Sequence, residues 1–152
     1  MVAGLQTLNL SSITVVGRRS EALQAFITDL QQSHAPLTAC LDNAVQLNEN
    51  VAQAALVVNT TPVGMAQHGD PRAMPLGAEL WSGLNGEALL YDLIYTPRPT
   101  SWLAAGQQRG HRCIDGLEML VQQGAASLRL WSGRDKVPVA AMRSAAATAL
   151  AT

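Results

Sequence analysis

Four short clusters hold most of the side chains that could do chemistry. Gly17-Arg18-Arg19-Ser20 sets two guanidinium groups directly after an apolar run, and Asn59-Thr60-Thr61 sets three hydrogen-bonding side chains after another. Asp92-Leu93-Ile94-Tyr95 adds a carboxylate and a phenol, and Asp115-Gly116 leads into a helical run with Met119 and Gln123. An arginine pair stands where an acid would accept a hydrogen bond from a ribose 2′-hydroxyl. Such a pair suits a 2′-phosphate and favours NADP over NAD. The same pair also reads as two ordinary solvated arginines. Asn59 and Thr60 either hold a nucleotide ribose or order the turn before Pro62. Asp92 either orients a ligand or caps a neighbouring loop, and loop ordering is the default. Tyr95 either donates to a polar substrate or packs half-buried. Gly116, Met119 and Gln123 fall at i, i+3 and i+7, on one helix face. A glycine at a helix start permits close approach of a flat ring, and the Gln123 amide suits a hydroxyl-rich ligand. Taken alone, Gln123 is a surface residue.

The elements that must position these groups alternate. Ile13 to Val16 is a β-branched run and reads as a strand. Ser20 is a plausible N-cap with Glu21 in the first turn, and Leu23, Phe26, Ile27 and Leu30 follow at helical spacing. Residues 37–41 suggest a second strand and 44–50 a weak helix. Residues 54–58 form an unbroken apolar run of strand length. Residues 66–75 are rich in Gly, Pro and polar side chains and read as a mobile loop. A strand over 88–93, a helix over 101–109, a brief strand over 112–114 and helices over 116–131 and 139–150 complete the pattern. Strand–helix alternation implies an α/β fold with a parallel sheet covered by helices. Ligands in such sheets sit at the C-terminal ends of the strands, and that rule selects the four clusters above.

A dinucleotide fold ordinarily opens with a strand and a G-x-G-x-x-G/A turn whose backbone N–H groups hold the pyrophosphate. Residues 1–12, MVAGLQTLNLSS, contain no such turn. Val2, Leu5 and Leu8 suggest instead the end of an apolar-faced helix. The expectation is a Rossmann-like sheet without its first strand, a single partial domain over residues 1–152. Apolar surface left uncovered there would favour self-association.

Bulk composition narrows the class further. The 152 residues are 48% hydrophobic and 14% charged with a net charge of −1, which describes a globular chain with a real core. That charge supplies no field for nucleic acid or an anionic membrane. Cys40 and Cys113 match no metal or redox spacing and read as reduced buried thiols. With no leader-like segment after Met1, the expected location is the cytoplasm. His34, His68 and His111 have no partners at metal-ligand spacing, so no metal is expected.

Together, ITVVGRRSE, ALVVNTTPVGM, LLYDLIYTPRPTSWLAAGQQRG and DGLEMLVQQGAASLRLWSG resemble the shikimate dehydrogenase family. The last is the most specific, with Asp115-Gly116-x-x-Met119-Leu120-x-x-Gln123 and Leu130-Trp131-x-Gly133. The first is looser, because Gly17 and Arg19 stand where the family often has Asn and Thr. The resemblance implies that Gly17, Arg18, Arg19 and Ser20 bind the adenosine 2′-phosphate of NADP. It also implies that Leu93 and Gly116 line the nicotinamide, and that Tyr95 and Gln123 reach shikimate. The implied reaction is reversible hydride transfer between NADPH and the keto group of 3-dehydroshikimate. The family's catalytic lysine and aspartate belong to an upstream substrate domain, so no catalytic residue is expected within this chain. Residues 116–152 would face that domain. Two other readings stay open: a non-catalytic nucleotide-binding or interaction remnant, and a quinate/shikimate dehydrogenase paralogue.

Overall fold

The structure is a computed structural model, and it describes residues 1–30, 36–42 and 44–150. His34 lies outside the described residues. The chain divides into two compact units, residues 1–53 with 78–84, and residues 54–77 with 85–152.

In the first unit, α1 (Val2–Leu5) precedes β1 (Ile13–Gly17), α2 (Ser20–Leu30), β2 (Leu37–Leu41), α3 (Ala44–Gln53) and α4 (Ala78–Gly83). Among the described residues no strand precedes Ile13. β1 and β2 pair in parallel, from Ile13 opposite Leu37 to Gly17 opposite Leu41. Helical spacing of four puts Leu23 and Ile27 of α2, and Leu47 and Val51 of α3, into one core with Ile13 and Cys40. α4 was not evident in the sequence. Its six residues are too short to hold a helix by propensity, and burial of Leu80 and Trp81 stabilises it. Ser20 is the first helical residue rather than the cap. Leu23 N–H already bonds to the Arg19 carbonyl, which makes Arg19 the N-cap.

The second unit holds β3 (Leu56–Asn59), β4 (Leu89–Asp92), α5 (Ser101–Gln108), β5 (Cys113–Ile114), α6 (Leu117–Ser132) and α7 (Val139–Ala149). Its strands lie in the order β3-β4-β5, all parallel. Residues 66–75, read as a mobile loop, contain one turn of 3₁₀ helix at Ala66–His68. Ala88, Leu90, Ile94, Trp102, Leu103 and Val121 form the core. Gly106 lets α5 lie on the sheet, since a Cβ there would stand 2.5 Å from Leu90 Cδ1. α6 ends at Gly133, whose φ of 65° is the left-handed conformation that a helix C-terminus favours in glycine. The expected parallel α/β architecture is therefore present, with the strands in two separate sheets.

Candidate functional site

In the second unit, the polar groups at the strand ends are engaged with one another. The register sets Asn59 opposite Asp92 at the last rung of β3 and β4. Asn59 is 3% exposed and Asp92 is fully buried. Asn59 Nδ2 donates to Asp92 Oδ1 at 3.0 Å and to the Val63 carbonyl at 3.2 Å. Its Oδ1 accepts from Thr61 N–H at 3.0 Å and from the Thr61 hydroxyl at 2.7 Å. Both amide donors and the acceptor are thus used inside the protein. The side chain of Asn59 orders the turn before Pro62 and has nothing left for a ribose. Thr60 beside it is exposed.

Asp92 collects two further donors, Ile94 N–H at 3.1 Å and the Thr100 hydroxyl at 2.8 Å. Thr100 in turn caps α5 by accepting from Leu103 N–H at 3.3 Å. Burial raises the Asp92 carboxyl above its ordinary range. The three hydrogen bonds favour the ion and oppose that effect, and the neighbouring Asp115 adds to it. Sequence reasoning missed Thr100, although a threonine directly before a helical run is an N-cap signal.

Leu93 and Gly116 are brought together. Gly116 N–H donates to the Ile94 carbonyl at 3.1 Å, and a Cβ on Gly116 would overlap the Leu93 carbonyl oxygen. The close approach that demands this glycine is therefore between two segments of backbone. Asp115, next to it, accepts from Leu117 N–H at 3.1 Å through Oδ1 and pairs with Arg98 at 2.6 Å through Oδ2. Tyr95 is half-buried and Gln123 exposed, and neither side chain has a hydrogen-bond partner among the described residues. Met119 is half-buried on the same helix.

The first unit presents a different surface. Gly17 closes β1, and Arg18, Arg19 and Ser20 follow it, all three exposed. Neither arginine has an ion-pair partner among the described residues. They border an open hollow of about 670 Å³ with Val15, Ala22 and Phe26. The start of α2 beside them adds the positive end of a helix dipole. Two unpaired cations at a helix N-terminus suit a phosphate, and the donor set fits the 2′-phosphate of NADP.

Among the described residues no group of three or more His, Cys, Asp or Glu side chains is placed to hold a metal ion. No helix there is long and apolar enough to cross a membrane.

Residues 116–147 match the model of the shikimate 5′-dehydrogenase C-terminal domain. The shikimate dehydrogenase (NADP(+)) of Trichormus variabilis is 43% identical over 145 residues, covering 95% of this chain and 50% of that protein. The chain matches the C-terminal half of the shikimate dehydrogenases. The likeness extends to structure. Shikimate 5-dehydrogenase from Thermus thermophilus, solved with NADP(H) and shikimate, gives a TM-score of 0.75 at 33% identity, covering 96% of this chain and 49% of that one. Quinate dehydrogenase from Corynebacterium glutamicum, solved with NAD, gives 0.76 at 26% identity, covering 93% and 48%. The chain thus spans about half the length of the curated relatives it matches. The shikimate dehydrogenase resemblance drawn from the four sequence segments agrees with these matches.

Proposed function

We propose that this chain is the NADP-binding half of a shikimate dehydrogenase, serving reversible hydride transfer between NADPH and 3-dehydroshikimate. The observation that carries the reading is the exposed Arg18–Arg19 pair at the end of β1, without an ion-pair partner among the described residues. Arg18 is the main contact for the 2′-phosphate, and Arg19 assists. Leu93 and Gly116 form the nicotinamide wall. Tyr95 and Gln123, whose polar groups are unpartnered among the described residues, face shikimate. Residues 116–152 face a substrate-binding domain, for which the uncovered half of the relatives' length leaves room. Exposure of Leu130 at 81% and Trp131 at 80% near the end of α6 supports that last assignment. Exposure of Val16 and Leu41 on β1 and β2 supports self-association through sheet surface. Two free cysteines support a reducing cytoplasmic location.

The bound cofactor supplies the hydride. The residues of this chain bind and orient it, and general acid–base work falls outside them. Lys136 is the sole lysine of the sequence and follows the clusters of the site. General acid–base help contributes about 10²–10⁴-fold and positioning more. The 152-residue chain should therefore bind NADP yet form no detectable NADPH from shikimate and NADP⁺. Robust turnover by the purified chain would show that its own residues include the acid–base pair.

A further inference from the structure

We propose that Asp92 is a positioning residue, a single buried carboxylate that holds the 59–63 turn and the start of α5 against the Leu93–Ile94 segment. The inference rests on the reading of Leu93 and Gly116 as the nicotinamide wall.

Its three donors come from three places in the chain. Asn59 brings the turn after β3, Ile94 the backbone just past β4, and Thr100 the cap of α5. Each limb extends one bond beyond the carboxylate. Asn59 passes the anchor to Thr61 and Val63, and Thr100 passes it to Leu103. The Leu93–Ile94 segment is gripped from both sides, by Asp92 through Ile94 N–H and by Gly116 through the Ile94 carbonyl. The three hydrogen bonds favour the ionised carboxylate against the cost of burying it, and charge-assisted bonds of this kind are the stronger ones. Asp92 itself is fully buried. It touches no ligand and acts through the peptide that would.

The two oxygens have separable jobs. Oδ1 takes Asn59 and Ile94, and Oδ2 takes Thr100. Asparagine at this position keeps an oxygen for Asn59 and Ile94 but turns an N–H toward Thr100. The Thr100 hydroxyl hydrogen then has no acceptor. Asp92→Asn should loosen the α5 limb alone, Asp92→Ala should loosen both limbs, and Thr100→Ser, which keeps the hydroxyl, should behave as wild type.

Amide hydrogen exchange of the full chain reads the limbs at Thr61 and Leu103, neither of which touches Asp92. Exchange should rise at least about tenfold at both amides in Asp92→Ala, and at Leu103 only in Asp92→Asn. In parallel, NADPH should bind Asp92→Ala about tenfold more weakly than wild type, while adenosine 2′,5′-bisphosphate, which lacks the nicotinamide, binds unchanged. A purely structural role would weaken both ligands together or raise exchange throughout the chain, and either result overturns the proposal. So does a rise in Asp92→Ala confined to one limb. If Asp92→Ala does not fold, Asp92→Asn decides, and any pattern other than faster Leu103 with unchanged Thr61 counts against the anchor. A wild type that binds neither ligand refutes the NADP reading instead, and the exchange pattern then decides the anchor by itself.

Discussion

The ends of β3 and β4 and the end of β1 are built on opposite plans. At the former, Asn59, Asp92 and Thr100 satisfy one another, and the backbone of Gly116 closes on Leu93 and Ile94. At the latter, Arg18 and Arg19 stand exposed without a counter-ion among the described residues. A site whose polar groups are already paired presents shape, and a site with unpaired charge presents affinity. The first suits a flat ring that needs an aligned wall, and the second suits a phosphate. The two regions should therefore fail differently. Damage to the paired region should cost stability, and damage to the unpaired one should cost selectivity.

The largest loss should come from Gly116→Ala. Its methyl group would overlap the Leu93 carbonyl, and neither backbone segment can yield without breaking the bond from Gly116 N–H to Ile94. A destabilisation of about 3 kcal/mol or more is expected in urea unfolding, at the upper end for overpacking. An unchanged midpoint would mean that the wall is not rigid. Gly106→Ala, which meets the end of a leucine side chain, should cost about 1–3 kcal/mol.

A pH series separates the two plans further. The folded-state pKa of Asp92 is raised by burial, so the folded protein keeps a proton that the unfolded chain releases. Its contribution is therefore fully present below the unfolded pKa, near about pH 4, and is lost as pH rises through the folded value. Urea midpoints measured upward from about pH 4 should fall in that window for wild type, and the fall should shrink in Asp92→Asn. Identical slopes in the two proteins would contradict a raised Asp92.

The smallest effect belongs to the exposed pair of Glu118 and Arg143. Two hydrogen bonds from Arg143, at 2.6 and 2.7 Å, hold the Glu118 carboxyl down to about 2. A depressed carboxylate contributes above its unfolded pKa and loses that contribution as pH falls through about 2. Solvent exposure of both side chains screens the pair, so Arg143→Ala should leave the melting temperature unresolved from wild type at neutral pH. A clear shift would show that α7 is held to α6 by charge rather than by packing.

Much of this contrast was legible in the sequence, and the illegible part has a common cause. The strand runs 13–16 and 54–58, the helix at 101 and the loop-ordering role of Asp92 follow from local periodicity and turn chemistry. Asn59 offered two readings, and only its partners decide between them. Its neighbour in the register is Asp92, 33 positions away in the chain. Gly116 was noticed as a helix-start glycine, but its reason lies in the backbone of Leu93, which no spacing rule reveals. α4 escaped because Leu80 and Trp81 make a helix only where a core is waiting for them. Arg18 and Arg19 also offered two readings, a phosphate site or a solvated pair, and to these the structure adds their exposure without an ion-pair partner among the described residues.

The central claim is that this chain selects NADP through Arg18. Isothermal titration of the 152-residue protein with NADP⁺ and NAD⁺, repeated on Arg18→Ala, tests it most directly. Loss of a charge-assisted phosphate contact should weaken NADP⁺ by about 1–3 kcal/mol, roughly five- to 150-fold, and leave NAD⁺ nearly unchanged. Equal affinity of the wild type for both cofactors, or equal loss of both in Arg18→Ala, would contradict the account.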